Sequence, residues 1–354
     1  MKKTIFYCAV IATIIFMLIY SKQVIRYSKE AMDMCYELII PTLLPFFVCS
    51  GLLIYSGFGS ILARAAGGIM RPLFNVAPSG AAAFVLGIIS GFPLGAATAA
   101  QLYGCGSISK SEAERLLAFC NNSGPLFIIG SVGTAIYGRP IYGVLLYIIH
   151  IIASILAGMI FSRYGSAHHN APPMRLDTVD MPLTEVFSTA LGNASKSMIT
   201  VCFSIIFFSS LSRAALDLLP LHPMLDALIS GIVEFSTGTI KTAALSYGLY
   251  EKLILTSLIV GFSGISVHIQ VMAMTSGYGL SLKPYILGKA AHGAIAAALT
   301  AAAARFLPIS SPAFAAPSAV ISASFSVIPL MLAAAAAFIL LCYVITLLLP
   351  RRRL

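Results

Sequence analysis

The stretch that decides the fold is PLFNVAPSGAAAFVLGIISGFPLGAATAAQLYGCGSIS, residues 72–109, in which no residue is charged. Its 38 residues are too many for one spanning helix, because about 30 Å of hydrocarbon needs only about 20 helical residues. Its middle, SGFPLG at 90–95, contains glycine and proline, which interrupt helices. We therefore predict two short helices, Ala81–Ile89 and Ala96–Tyr103, forming a re-entrant hairpin whose non-helical tip lines a cavity or is buried in protein.

The composition of the whole chain also indicates a membrane protein. Of its 354 residues, 59% are hydrophobic and only 10% are charged, whereas soluble domains carry about 25% charged residues. So few charges exclude a soluble enzyme, a nucleic-acid-binding module and a disordered chain. The net charge of +10 needs no nucleic-acid partner, because excess Lys and Arg in polytopic membrane proteins gathers in cytoplasmic loops. The expected fold class is an all-α polytopic membrane protein.

Before the uncharged stretch, the sequence predicts two spans and a connector. Thr4–Tyr20 looks like a signal peptide, but no small-residue cleavage site follows it, so we interpret it as an uncleaved first span. Met34–Tyr55 is the second span, interrupted by Pro41 and Pro45. Gly57–Phe74 is read as an interfacial connector.

After the stretch, a broken helix and a clean span follow. Ser109 is a candidate N-cap, and Glu112 three residues later completes the pattern of a capping box. This helix is interrupted at 121–125 (NNSGP), resumes over Leu126–Tyr137, and is followed by the span Ile141–Phe161.

A polar loop, Ser162–Pro182, separates this half from a second half with similar elements. The second half contains an apolar segment with a break at Glu234–Gly238, a helix broken at 261–264 (GFSG), and several uninterrupted segments. These segments are the span Thr184–Ser210, the connector Ser212–Leu221, the span Pro284–Ala304 and the last span Ala319–Leu349.

Both halves contain the same elements in the same order: a hairpin, a broken helix, then a span that contains a histidine. Gly87–Gly91 corresponds to Gly231–Phe235, and His150 corresponds to His292. We predict two inverted repeats, as in secondary transporters, with about eight full spans and the two hairpins. Placing the C-terminal arginines in the cytoplasm puts both termini on the cytoplasmic side of the cell membrane. The predicted parts are 1–33 (first span and connector), 34–163 (first repeat), 164–183 (central loop), 184–305 (second repeat) and 306–354 (C-terminal loop and span).

Several of these segments resemble one known family. SGFPLG at 90–95, ISKSEAERLLAFCNNSGPLFIIG at 108–130, SGISVHIQ at 263–270 and the segment Lys283–His292 are similar to the sporulation integral membrane protein YlbJ family. The resemblance extends from about Met34 to Phe306. It implies a nucleoside-recognition Gate domain, shared with concentrative nucleoside transporters and FeoB, and a role in formation of the spore cortex.

Glu234 is the strongest single candidate for a substrate-binding residue. A carboxylate at membrane depth costs at least about 2.5 kcal/mol unless it is paired or hydrated, which favours a position at a polar cavity. The alternative is a structural carboxylate bonded to freed backbone amides at the hairpin tip, and Lys241 is a candidate ion-pair partner. In the nucleoside carriers that the resemblance invokes, a Glu at this tip contacts the substrate, so Ser236 and Thr237 are candidates as well.

The other candidate substrate-binding residues lie at the remaining breaks, where freed backbone groups and polar side chains occur together. They are Asn121, Asn122, Ser123, Ser263, Ser266, His268, Ser90 and Phe92. Amide side chains both donate and accept hydrogen bonds, which suits a neutral polar solute. The alternative is that they only cap half-helices. His150 and His292 are expected to be interhelical hydrogen-bond partners rather than proton carriers.

The sequence thus predicts a transporter-like protein that binds or moves a small polar, nucleoside-like solute, with membrane lipids and sporulation membrane proteins as partners. The alternative is a membrane scaffold for cortex-assembly proteins that transports nothing. Walker A, HExxH, GxSxG and Cys/His metal motifs are absent from the sequence, so we expect neither an enzyme nor a metal or other cofactor.

Overall fold

The computed structural model describes residues 2–56, 58–165 and 182–304, and within these ranges the secondary structure is helical, without β-strands. The α-helices are α1 (Lys2–Ile19), α2 (Ser21–Met34), α3 (Ile40–Tyr55), α4 (Phe58–Phe74), α5 (Ala81–Ser90), α6 (Leu94–Gly104), α7 (Lys110–Cys120), α8 (Pro140–Phe161), α9 (Leu183–Leu216), α10 (Pro223–Val233), α11 (Phe235–Ala243), α12 (Leu249–Phe262), α13 (Gly264–Thr275) and α14 (Lys283–Ala304). The remaining helical segments are the π-helices Cys35–Ile39 and Leu126–Ile136 and the 3₁₀ turn Pro78–Gly80.

Four stretches in the described ranges are long and apolar enough to cross a membrane: α8, α9, α12 with α13, and α14. Two bent pairs raise this number to six, since α1 and α2 meet at 94° and α4 continues into α5 at 108°. The chain is therefore a multi-pass membrane protein, with four to six candidate spans within the described residues; the expected total of eight spans stays a prediction. Most of the central loop, 164–183, and the C-terminal span, 319–349, lie outside the described residues.

The first hairpin is close to its prediction. Helices α5 and α6 occupy the two expected segments, and the break between them is shorter than expected. Only Gly91, Phe92 and Pro93 are non-helical, because Ser90 still belongs to α5 and Leu94 already begins α6.

The capping box at the start of α7 is confirmed. The Ser109 hydroxyl accepts from the amide of Glu112 at 3.3 Å, and the Glu112 carboxylate accepts from the amide of Ser109 at 2.7 Å. The other carboxylate oxygen of Glu112 accepts from the amide of Ala77 at 2.8 Å, so one buried side chain joins α7 to the turn before α5. Helix α7 ends at Cys120, where the predicted interruption at 121–125 begins. Only 121–124 are non-helical, because Pro125 already belongs to the next helical turn.

In the second half, two boundaries differ from the prediction. Helix α9 continues without a break to Leu216 and absorbs the first part of the expected connector Ser212–Leu221. At the second hairpin tip, Glu234 alone is non-helical, because α11 begins at Phe235. The expected break over Glu234–Gly238 was therefore wrong for its last four residues.

Small residues bring the central helices together. A Cβ added at Gly261 of α12 would lie 2.6 Å from the Cα of Gly293 in α14. A Cβ added at Gly288 of α14 would lie 2.4 Å from the carbonyl oxygen of Ala118 in α7. Helix α14 also packs against α8, where the rings of His150 and His292 are 4.3 Å apart. Residues of both halves, among them Phe119 and Phe235, belong to one hydrophobic core. The contact of α8 with α14 at Ala153 and Ala296 forms a smaller cluster beside it.

Candidate functional site: a polar pocket where the helix breaks meet

Each hairpin tip lies against the broken helix of its own half. At the first tip, a Cβ added at Gly91 would lie 2.8 Å from the backbone nitrogen of Gly124, and Gly91 has φ +80°. In the second half, a Cβ added at Gly264 would lie 3.0 Å from the backbone nitrogen of Phe235, and Gly264 has φ +75°. Both positions require glycine because the backbones approach closely and φ is positive.

Aromatic rings join the two tips. The ring of Phe235, at the second tip, packs edge-on against Phe92 of the first tip, with ring centroids 5.4 Å apart. It also contacts Phe127, just beyond the first helix break, at 4.9 Å. All four interruptions of the chain are therefore neighbours in one region of the protein.

A pocket lies at this meeting point, and its polar lining comes from every interruption. Five buried side chains that line it, listed from first to last in the chain, are Ser90, Ser123, Ser236, Ser266 and Gln270. The four serine hydroxyls and the Gln270 Oε1 have no hydrogen-bond partner in the described part of the chain. Because buried polar atoms are nearly always satisfied, this concentration of unsatisfied atoms points to a ligand or ordered water. The apolar wall comes from α3 and α9, including Phe47 and Ile205.

In this conformation the pocket is narrow. It encloses about 540 Å³ of empty space, counting the part open to the outside, but leaves only about 30 Å³ where the centre of a water molecule can lie. Since about 10–15 Å³ of such space holds one water, the pocket has room for about two waters. A solute of nucleoside size therefore requires the surrounding tips or helices to move apart.

Three of the helices that begin at these interruptions lack a side-chain cap. They are α6, the π-helical segment that begins at Leu126, and α13. The first amides of a helix have no partner within it, and they carry a partial positive charge. The region therefore favours solute groups that accept hydrogen bonds.

The carboxylate of Glu234 is engaged within its own segment. The side chain is fully buried, and its two oxygens accept from the amides of Ser236 at 3.1 Å and Thr237 at 2.7 Å. These are the freed amides at the start of α11, so Glu234 is the N-cap of that helix. Glu234 is not among the residues that line the pocket, and it makes no hydrogen bond to the first helix break.

Of the predicted binding residues, Ser90, Phe92, Ser123, Ser236 and Ser266 line the pocket. Four of the others make hydrogen bonds outside it. The Thr237 hydroxyl donates to the Ser209 hydroxyl. The side chains of Asn122 and Ser263 donate to backbone carbonyls three residues earlier, those of Phe119 and Val260. His268 Nδ1 forms a hydrogen bond with the carbonyl of Gly264. Asn121 is fully buried, and its side-chain atoms have no hydrogen-bond partner among the described residues.

Lys241 does not pair with Glu234. Its ammonium group lies 2.8 Å from both carboxylate oxygens of Asp226, which projects from the other arm of the same hairpin. The expected Glu234–Lys241 pair was therefore wrong, because the carboxylate of Glu234 points into the start of α11.

Three residues of this region were missed by the sequence analysis. Gln270 and Phe127 line the pocket, and the fully buried Lys289 donates to the carbonyl of Asn121 at 3.1 Å. The position of Gln270, seven residues after Ser263 and on the same broken helix, was a usable signal. Within the described ranges, no group of three His, Cys, Asp or Glu side chains is arranged to hold a metal ion.

Comparison with known proteins identifies a relative. The chain is 31% identical over 306 residues to the sporulation integral membrane protein YlbJ of Bacillus subtilis (strain 168), and the match covers 76% of this chain and 75% of that protein. No family model matches the chain. No solved structure matches it either.

Proposed function

Because this chain belongs to the family of the sporulation integral membrane protein YlbJ, we propose that it acts in sporulation and binds a small polar solute in the pocket at the helix breaks. In this proposal the protein contributes to formation of the spore cortex by binding or moving that solute. It acts as a carrier rather than as an enzyme.

The observation that carries the proposal is the set of unsatisfied polar atoms in the pocket. Each interruption of the chain contributes one buried serine: Ser90, Ser123, Ser236 and Ser266. Burying a polar group without a partner costs about 1–3 kcal/mol. A solute with several hydroxyl or carbonyl groups would satisfy these atoms together, whereas a scaffold gains nothing from leaving them unpaired.

A transporter-like architecture of two inverted repeats, similar to the Gate domain, fits the same geometry. Gly91 contacts Gly124 in the first half, and Gly264 contacts Phe235 in the second, so each tip meets its own broken helix in the same way. The arms of the second hairpin also touch, since a Cβ added at Gly238 would lie 2.1 Å from the Cα of Gly231. Broken helices that meet at a shared site are typical of secondary transporters.

The lining favours a solute with a flat ring and polar substituents, such as a nucleoside. Phe92, Phe127 and Phe235 present aromatic surface at the pocket, and aromatic pairs stack or pack edge to face. The amide of Gln270 and the serine hydroxyls can both donate and accept hydrogen bonds. These groups are uncharged, which supports a neutral solute.

We expect a nucleoside to stabilise the purified full-length protein against thermal unfolding in detergent. The probes are uridine, N-acetylglucosamine and succinate, which represent nucleosides, amino sugars and dicarboxylates. A probe at 100 times its Kd stabilises the folded state by about 2.7 kcal/mol. The double variant Ser236→Ala, Ser266→Ala removes two pocket hydroxyls. In this variant the probe should raise the unfolding temperature much less than in the wild type.

The matched control is Ser188→Ala, which removes an exposed hydroxyl of α9 that bonds only its own helix. This variant should respond to the probe like the wild type. If none of the three probes stabilises the protein, solute binding is wrong. If the double variant responds as the wild type does, the solute binds elsewhere than in this pocket.

In the chain's own organism, deletion of its gene should yield spores with defective cortex, and a wild-type copy should restore them. We expect the Ser236→Ala, Ser266→Ala copy to fail although the protein accumulates in the membrane, because the solute cannot be held. Electron microscopy measures the state of the cortex, and immunoblotting of membranes measures how much of the protein accumulates there. Full restoration by the double variant would contradict the solute site and favour the scaffold.

A further inference from the structure

A chain of buried hydrogen bonds connects the first helix break to three titratable side chains. The backbone amide of Ser123, a pocket residue, donates to His150 Nε2 of α8 at 3.1 Å. His292 Nε2 of α14 lies 2.9 Å from the carbonyl oxygen of His150, and His292 Nδ1 lies 3.1 Å from Lys289 Nζ. Lys289 in turn donates to the carbonyl of Asn121. The backbone on both sides of Asn122 is thus held from outside the pocket.

The partners determine where the ring protons lie. A carbonyl oxygen can only accept, so His292 carries a proton on Nε2, and its Nδ1 accepts from Lys289. A backbone amide can only donate, so His150 Nε2 carries no proton and, in the neutral ring, the proton is on Nδ1. The observed bond from Ser123 therefore requires that His150 be uncharged.

The groups around His150 include a lysine, so a proton on His150 would place two positive charges close together. Lys289 and His292, both from α14, are the titratable side chains that face it, and Cys120 of α7 faces Lys289. From α12, Thr256 and Ser257 border His150, and the π-helical segment adds only apolar side chains there. Helix α4 meets the other end of α8 through Phe74. Among the described residues, no carboxylate pairs with Lys289.

A small cavity adjoins the ring of His150. It is lined by Thr256 and Ser257 and has about 10 Å³ where the centre of a water molecule can lie. That is about the space of one water, and the two hydroxyls supply polar partners for it. Water at this position can deliver a proton to the cluster.

We propose that His150, together with Lys289 and His292, forms a proton site coupled to the solute pocket. A proton that binds to His150 Nε2 removes the acceptor of the Ser123 amide and places a second positive charge beside Lys289. The segment at 121–124 is then released and the pocket lining rearranges. This coupling rests on the proposed solute site, because Ser123 is the residue that belongs to both.

Hydrogen exchange of the peptide that contains Ser123 tests the proton site without any solute. The full-length protein is exchanged in detergent between pH 8 and pH 5, and each rate is corrected for the intrinsic pH dependence of amide exchange. We expect protection of this peptide to fall on acidification, by at most about tenfold per pH unit, the limit for one linked proton. In His150→Gln, whose amide oxygen can still accept from Ser123 but takes up no proton, protection should not change with pH.

The control variant is His222→Gln, at the exposed N-cap of α10, where the glutamine oxygen can still accept from the amide of Met224. In this variant the protection of the Ser123 peptide should change with pH as it does in the wild type. A wild-type protection that stays constant with pH overturns the proposal, as does a His150→Gln variant that titrates like the wild type. If His150→Gln does not fold, the wild-type series alone decides. Failure of uridine, N-acetylglucosamine and succinate to bind would refute the solute site and leave this exchange result standing.

Discussion

Replacing Gly87 by alanine is expected to destabilise the protein severely. A Cβ at this position would lie 1.7 Å from the carbonyl oxygen of Cys120 and 3.2 Å from the Cα of Gly95. Both are backbone atoms, so no side-chain rotation relieves the clash, and α5 must separate from α6 and the end of α7. We expect a loss of at least about 3 kcal/mol, the upper part of the range for overpacked cores. Thermal unfolding of the purified protein in detergent measures it.

This expectation is opposite to that from helix propensity. Gly87 lies inside α5, where alanine is intrinsically favoured over glycine by about 1 kcal/mol. Gly192→Ala is the matched control, because this position lies inside α9 and an added Cβ has no atom within 4 Å. We expect that variant to be as stable as the wild type or slightly more so. If Gly87→Ala unfolds at the same temperature as Gly192→Ala, the close contact with Cys120 does not exist.

The glycines show which parts of this fold could be predicted from the sequence. Gly91 and Pro93 stand in an uncharged run that is too long for one helix, so the first hairpin followed from length and composition. The capping box at Ser109 and Glu112 could be predicted because it is a pattern of residues only three positions apart. The interruption after Cys120 was marked by consecutive Asn, Ser, Gly and Pro residues, which favour breaks over helix.

The second hairpin tip shows where such patterns are insufficient. Ser236, Thr237 and Gly238 are poor helix formers, and this suggested a long break beside Glu234. Tertiary packing decides otherwise, because Gly238 lets α11 lie directly on Gly231 of α10 and the Glu234 carboxylate satisfies the first amides. The connector at Ser212 was misassigned because Arg213 ends the uncharged run that follows Lys196, although the helix itself continues to Leu216.

The candidate site was only partly predictable because burial is a property of the folded chain. Lys289 stands six residues after Lys283 near the start of α14, where a lysine would ordinarily extend to the membrane surface. The structure instead buries it completely beside Asn121. Nothing in the local sequence distinguishes these two lysines, and only the packing of α14 against α7 does.

Removing the carboxylate of Glu234 is the second change with a large expected effect. Glu234→Ala leaves the amides of Ser236 and Thr237 without acceptors in a fully buried environment. The lost cap and the unsatisfied donors together should lower the free energy of unfolding by about 3 kcal/mol. The control is Glu185→Ala, which removes an exposed carboxylate from the first turn of α9 that caps nothing; we expect little change there.

Glu234→Ser separates the capping role from contact with the solute. Serine is among the preferred N-cap residues, so its hydroxyl should restore most of the stability lost in Glu234→Ala, although it carries no charge. Because Glu234 lies outside the pocket lining, we expect this variant also to keep the thermal shift caused by whichever probe stabilises the wild type. The sequence-based expectation that Glu234 binds the solute requires the opposite result, a variant that folds stably but no longer responds. Measuring unfolding of Glu234→Ser with and without that probe decides between these two roles, because stability reports the cap and the shift reports the solute.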